Sequence, residues 1–316
     1  MNEKTRVQIE EMKKQTIGVE VEMNNIERSQ AAKVAAEFFG TWRFDDTARR
    51  NGYCTWSAWD AQGREWKSQK DVSISGPDSE KCELVTPILT YADMETLQEL
   101  IRRLRRAGAK SDSTRGCGVH IHIGAKGHTP QTLRNLANIM ASHESLLAEA
   151  LDLDHYRMSR YCRTVDPRFL EQINRRKPTT MADLADIWYG SQGANYGRSY
   201  HYNDSRYHML NLHATFTKGT VEFRLFQFDA PANGRRNGLH AGQLKSYIQL
   251  CLALSQMAKS VRPASPKPQQ NENPKYAMRT WLLRLGFIGE EFETARDILT
   301  RRLSGDAAFR NGRAAA

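Results

Sequence analysis

The 316 residues are 40% hydrophobic and 26% charged, a globular composition with room for one large domain or two small ones. No apolar run approaches the roughly 20 residues of a membrane helix, and five scattered cysteines (54, 82, 117, 162, 251) without a CxxC pair argue against a disulfide framework or a structural zinc site. The net charge of +10 favours acidic partners, from nucleotides and nucleic acid to acidic polypeptides.

Residues 1–15 (MNEKTRVQIEEMKKQ) read as a polar lead-in without the apolar core of a secretory leader; with the cysteine pattern, the expectation is a cytoplasmic protein. Ile17–Met23 reads as a strand. Ser29 is placed as the cap of a short helix, 30–39, closed by Gly40. Tyr53–Trp59 and Arg64–Val72 read as a hairpin around Asp60-Ala61-Gln62-Gly63, and Lys81–Pro87 as a further strand. In 93–106, Met94, Leu97, Ile101 and Leu104 recur at helical spacing. The arginines of RRLRR at 102–106 then suit the negative end of that helix better than a nucleic-acid patch. Cys117–Ile123 is the next strand, and Thr129-Pro130 opens a long helix as N-cap and first helical residue.

Residues 165–205 read as irregular, with Trp188–Tyr202 as either a lid or an ordinary surface loop. Leu210–Phe216 and Thr220–Phe228 are expected to form a hairpin across Lys218-Gly219, with Asn211 and His213 on one face. A helix at 239–259, a linker at 262–274, a helical piece at 276–303 and a disordered end follow. Strands separated by both hairpins and helices give an α+β class with a mainly antiparallel sheet. The expected division is a catalytic region, 1–260, and an extension, 261–316.

Three strands carry chemistry on one face and apolar residues on the other. Side chains two apart on a strand share a face. That groups Glu20 with Glu22, His120 with His122, and Glu222 with Arg224, against Val19/Val21, Val119/Ile121/Ile123 and Val221/Phe223/Leu225. Three carboxylates, two imidazoles and a guanidinium suggest one charged cavity, costly unless cations or ligands compensate it. On this reading, loss of charge at Glu222 relieves repulsion, while a charge at Val221 enters the core. Glu83 adds a carboxylate, and Asp71, Ser73, Arg206, Asn211 and His213 are polar neighbours in sequence. Taken singly, each group has an ordinary alternative: a solvated strand face, a chance HxH pair, a surface salt bridge.

In series, the motifs GVEVE, DVS, CELVTP, CGVHIHIG, RYHMLNL and TVEFRLF resemble the amidoligase family, carboxylate–amine ligases related to glutamine synthetase and glutamate–cysteine ligase. Thr86, where serine is common, and Gln227-Phe228-Asp229, where a threonine often follows, depart from the pattern. The resemblance implies a curved antiparallel sheet of glutamine-synthetase type. It also implies ATP with magnesium (or manganese), and an acyl-phosphate route to an amide. By position, Glu20, Glu22, Glu83, His120 and Glu222 resemble metal ligands. Arg224 resembles the phosphate-stabilising cation beside Glu222 at the reacting centre. His122 and Arg206 resemble nucleotide-side residues, and Asp71, Ser73 and Asn211 substrate-side ones. The partners implied are a small-molecule or peptide carboxylate and an amine, without membrane or nucleic acid. Three other classes stay open: a phosphotransferase on the same scaffold, an HxH metallohydrolase, and a basic nucleic-acid-binding protein.

Overall fold

The computed structural model describes residues 3–48, 52–229, 238–268 and 272–309. The chain divides into two compact units: Thr16–His122 with Phe226–Lys245, and Met1–Gln15 with Ile123–Leu225 and Ser246–Ala316. The class is mixed helix and antiparallel sheet, as expected.

The first unit is built on the strands β1 (Ile17–Met23), β2 (Phe44–Asp46), β3 (Trp56–Trp59), β4 (Glu65–Gln69), β5 (Cys82–Val85) and β6 (Val119–Gly124), in the order β2-β3-β4-β5-β1-β6. The β3–β4 hairpin closes around Asp60. Its Oδ1 accepts from the backbone N–H of Gln62 and Arg64, and its Oδ2 from Arg64 Nε and Trp66 Nε1. One buried carboxylate thus satisfies a turn, a cation and an indole. Antiparallel pairing of β1 with β5 sets Glu22 directly opposite Glu83 and Glu20 opposite Val85. Directly opposed side chains on antiparallel strands lie about 5 Å apart at Cβ, so register alone brings two acids together.

The helix Arg28–Phe38 buries Ala31, Ala32, Ala35 and Ala36, small side chains that allow close approach to β3 and β4. It starts without a side-chain cap at Glu27, so Ser29 lies inside it rather than capping it. The helix Met94–Arg106 buries Met94, Leu97, Ile101 and Leu104. Glu99 lies 3.2–3.4 Å from Arg102, Arg103 and Arg106, so the basic run is spent within its own helix.

In the second unit, β7 (Leu210–Asn211) pairs antiparallel with β8 (Thr220–Phe226), Asn211 facing Glu222. The expected hairpin is shorter than its sequence suggested. Asn211 Oδ1 accepts from His213 N at 2.9 Å, which turns the chain into a short helix, His213–Thr217. Asn211 and His213 therefore do not share a strand face. The helix Pro130–Leu151 begins as read, with Thr129 accepting from Thr132 N and proline at its start. No described helix is long and apolar enough to cross a membrane.

The stretch read as a polar lead-in and the one read as irregular both contain helices. Residues Glu3–Lys13 form a helix that buries Ile9 and Met12, and Lys13 pairs with Glu291 at 2.7 Å. Within 165–205, Pro167–Arg176 and Met181–Ser191 are helices, capped by Asp166 and Thr180. The C-terminal helical piece resolves into Pro274–Arg284 and Glu293–Thr300. Parts of the expected linker (269–271) and tail (310–316) lie outside the described residues.

Candidate active site

In the first unit, β1, β5 and β6 gather acids and imidazoles. Glu22 and Glu83 are 4% and 5% exposed, and His120 and His122 are buried beside them. His120 Nδ1 lies 3.0 Å from Glu20 Oε2, His120 Nε2 3.6 Å from Glu22 Oε1, and His122 Nε2 3.3 Å from Glu20 Oε1. Glu22 Oε2 also accepts from the Gly118 N–H at 2.6 Å. Gln69 donates to Glu83 Oε2 at 2.8 Å. Val119, Ile121 and Ile123 are buried as well, so β6 is covered on both faces rather than on one.

Asp71 joins this cluster from the loop after β4. Ligand atoms of Glu22, Asp71 and Glu83 lie within 4.8 Å of one another, as do those of Glu20, Glu83 and His120. Either set could hold a metal ion. Burial, then the charges of Glu20, Asp71 and Glu22, push the Glu83 carboxyl well above its ordinary range. Ser73 contributes its backbone N–H, which donates to Asp71 Oδ1 at 2.6 Å. Residues 115–116 hold this loop: Ser75 N donates to Arg115 O at 2.8 Å. Gly116, at φ +90°, passes so close that a Cβ there would lie 2.9 Å from Ser73 O. The buried thiols of Cys82 and Cys117 are each pushed up to about 12 by burial, and so are inert.

The second unit carries its own charged group on β7 and β8. Glu222 and Arg224 are 1% and 4% exposed, with Arg224 Nη1 2.5 Å from Glu222 Oε1. Asn211 Nδ2 donates to Glu222 Oε2 at 2.7 Å, so Asn211, expected on the substrate side, orients the acid. Arg206 donates to His201 O at 3.0 Å. The guanidinium carbons of Arg206 and Arg224 lie 5.7 and 5.8 Å from the centre of the Tyr207 ring, a cation–π contact on each count. Tyr189 OH is 2.7 Å from His213 Nδ1. Burial, and next the charge of Arg206, hold the imidazole of His213 below its usual range.

Sequence reading missed Gln69, Tyr189 and Tyr207. A glutamine at a strand end and tyrosines in a Tyr-rich stretch carry no spacing that marks them; only the fold shows whom they touch.

The chain matches the family described as "Putative amidoligase enzyme" over residues 13–255. It belongs to this amidoligase family. No curated protein matches it in sequence. Among solved structures, a bifunctional glutathione synthetase from Pasteurella multocida is similar at 13% identity and a TM-score of 0.45, over 96% of this chain and 49% of that one. The chain thus spans about half the length of that synthetase. The matched stretch contains every acid and histidine of the two charged groups of this site.

Proposed function

We propose that this amidoligase is a cytoplasmic, ATP- and magnesium-dependent enzyme that forms an amide or isopeptide bond through an acyl phosphate. The observation that carries the reading is the acid cluster of Glu20, Glu22, Asp71 and Glu83, in which Glu22 and Glu83 are buried and Glu20 and Asp71 half-buried. So many carboxylates in so little water are tolerated only with compensating positive charge, and Glu83 registers the strain.

The donors suit a hard divalent cation. Magnesium takes oxygen ligands and is usually held by a few carboxylates together with substrate phosphates. Glu20, Glu22, Glu83 and His120 would hold it, with Glu222 as a further ligand by resemblance. When bound, the metal would neutralise phosphate oxygens. ATP would donate its terminal phosphoryl group to the acid: a carboxylate oxygen attacks phosphorus and ADP leaves. The amine nitrogen then attacks the acyl carbon, the carbon–oxygen bond to phosphate breaks, and the nitrogen loses a proton. Charge spreads over the transferring oxygens in the first step, and Arg224 is the cation assigned to it. His122 and Arg206 are assigned to the nucleotide, and Asp71 and Ser73 to the substrate side. A glutamine-synthetase-like curvature of the sheet and a catalytic region at 1–260 belong to the same reading.

The test is calorimetric titration of a non-hydrolysable ATP analogue, with and without magnesium, into wild type and Glu20→Gln. Expected is magnesium-dependent binding, weakened at least about tenfold in the variant, and phosphate release from ATP with a suitable acid–amine pair. Hydrolysis that needs zinc and no ATP would replace the reading with the HxH metallohydrolase. A product that keeps the phosphoryl group would make the enzyme a phosphotransferase.

A further inference from the structure

A cavity lies in the unit that holds Glu222 and Arg224. It measures about 470 Å³ and opens between the chain near 159–166 and the short turn Asp204–Arg206. None of the acids or histidines assigned to the metal lines it. Its walls carry both signs of charge: Arg160 and Arg163 on one side of the count, Asp166 and Asp204 on the other.

These groups keep bonding capacity. Arg163 is pinned by two backbone carbonyls, Nε to Tyr207 O and Nη2 to Asp204 O, each at 3.2 Å, which leaves Nη1 as a donor. Arg160 packs over the Tyr156 ring and donates to its hydroxyl. Asp166 Oδ1 accepts from Phe169 N as a helix cap, leaving Oδ2. The Asp204 carboxylate has no hydrogen-bond partner among the described residues. His208 Nδ1 sits 2.6 Å from Thr164 O, so that nitrogen carries the proton and Nε2 presents a lone pair. The side-chain nitrogen of Gln192, in the same wall, is buried without a hydrogen-bond partner. An orphaned buried donor costs free energy until something accepts from it.

We propose that this pocket binds a zwitterion: the free carboxylate and free ammonium of an amino acid or short peptide. A phosphate or simple anion would meet two aspartates, and a simple cation two arginines. Only a ligand with both ends satisfies both pairs, with Gln192 donating to the anionic end and His208 accepting from the ammonium. Tyr207, which forms part of the wall, carries the Arg224 guanidinium at 5.8 Å from its ring centre, and Arg224 Nε reaches Tyr161 O at 3.5 Å. One aromatic ring therefore separates the pocket from the charge assigned to phosphoryl transfer. The pocket's role as the seat of a ligase substrate rests on the function proposed above; its binding chemistry does not.

The test is calorimetry without ATP or magnesium, using L-alanyl-L-alanine, its N-acetyl form and its C-terminal amide. Expected is binding of the free dipeptide, weakened about tenfold or more by either cap. Asp204→Asn should weaken the free dipeptide but leave the N-acetyl form unchanged, and Arg163→Gln should do the same for the amide. Thermal midpoints check that both variants fold. Equal binding of capped and free forms, or no heat from the free dipeptide at millimolar concentration, overturns the proposal. A dipeptide that binds while no acid–amine pair releases phosphate overturns the ligase function and leaves the pocket standing.

Discussion

At Glu222 both carboxylate oxygens are engaged, by Arg224 and by Asn211. The strand pattern suggested that removing this charge relieves repulsion. The structure adds an opposing cost: Glu222→Gln removes the carboxylate that faces the guanidinium of Arg224, which is buried at 4% exposure. Breaking a buried pair from one side costs about 3–5 kcal/mol. We expect Glu222→Gln to fall within that range, because the single carbonyl oxygen of glutamine can accept from Arg224 or from Asn211 but not from both, and Glu222→Gln with Arg224→Met to recover part of the loss. Urea denaturation of the two singles and the double gives the coupling, expected at about 1–3 kcal/mol. Additive costs would mean the pair is not coupled. Val221→Asp has no such remedy, since it puts a lone charge among apolar neighbours. The alternation of β8 was legible, because period two is a local property. That both of its faces are buried was not, because burial depends on what packs above.

The helix Pro130–Leu151 carries a titratable group away from the site. Glu144 is buried in it, accepts from Val165 N at 2.8 Å, and is pushed up to about 7 by burial. An acid with a raised folded pKa binds its proton more tightly in the folded state. Its stabilising effect is therefore full below the unfolded value near 4.5 and is lost as pH rises to about 7. The loss is on the order of 3 kcal/mol. Glu144→Gln should flatten the thermal midpoint over that window and raise it at pH 8; an unchanged slope would assign the dependence elsewhere. The start of this helix was legible from Thr129-Pro130. Asp166-Pro167 is the same signal, yet 165–205 reads as irregular, because the glycines and tyrosines further on mask two helices. The N-terminal helix, with only Ile9 and Met12 buried, is too sparsely apolar to announce itself.

Over the whole molecule, the metal proposed for the acid cluster would link binding to folding. A ligand that binds only the folded chain stabilises it by about 2.7 kcal/mol at a hundredfold excess over Kd. In chelator-treated protein, Glu83→Gln should raise the thermal midpoint, since it removes one of the mutually repelling carboxylates around Asp71, Glu20 and Glu22. Added magnesium should raise the midpoint of wild type and leave that of the variant nearly still. Equal magnesium shifts in both would remove Glu83 from the ligand set. The ordered series of motifs made the family legible from sequence. The order β2-β3-β4-β5-β1-β6 was not, since strand neighbours are chosen by pairings far apart in the chain.

Gly116 ties two of these segments into one inheritance. With a side chain at 116 aimed at the Ser73 carbonyl, the loop bearing Asp71 and the approach to the histidine strand cannot drift separately. A descendant of this sequence can lose that glycine only in company with a rebuilt loop, so the two segments evolve as one character.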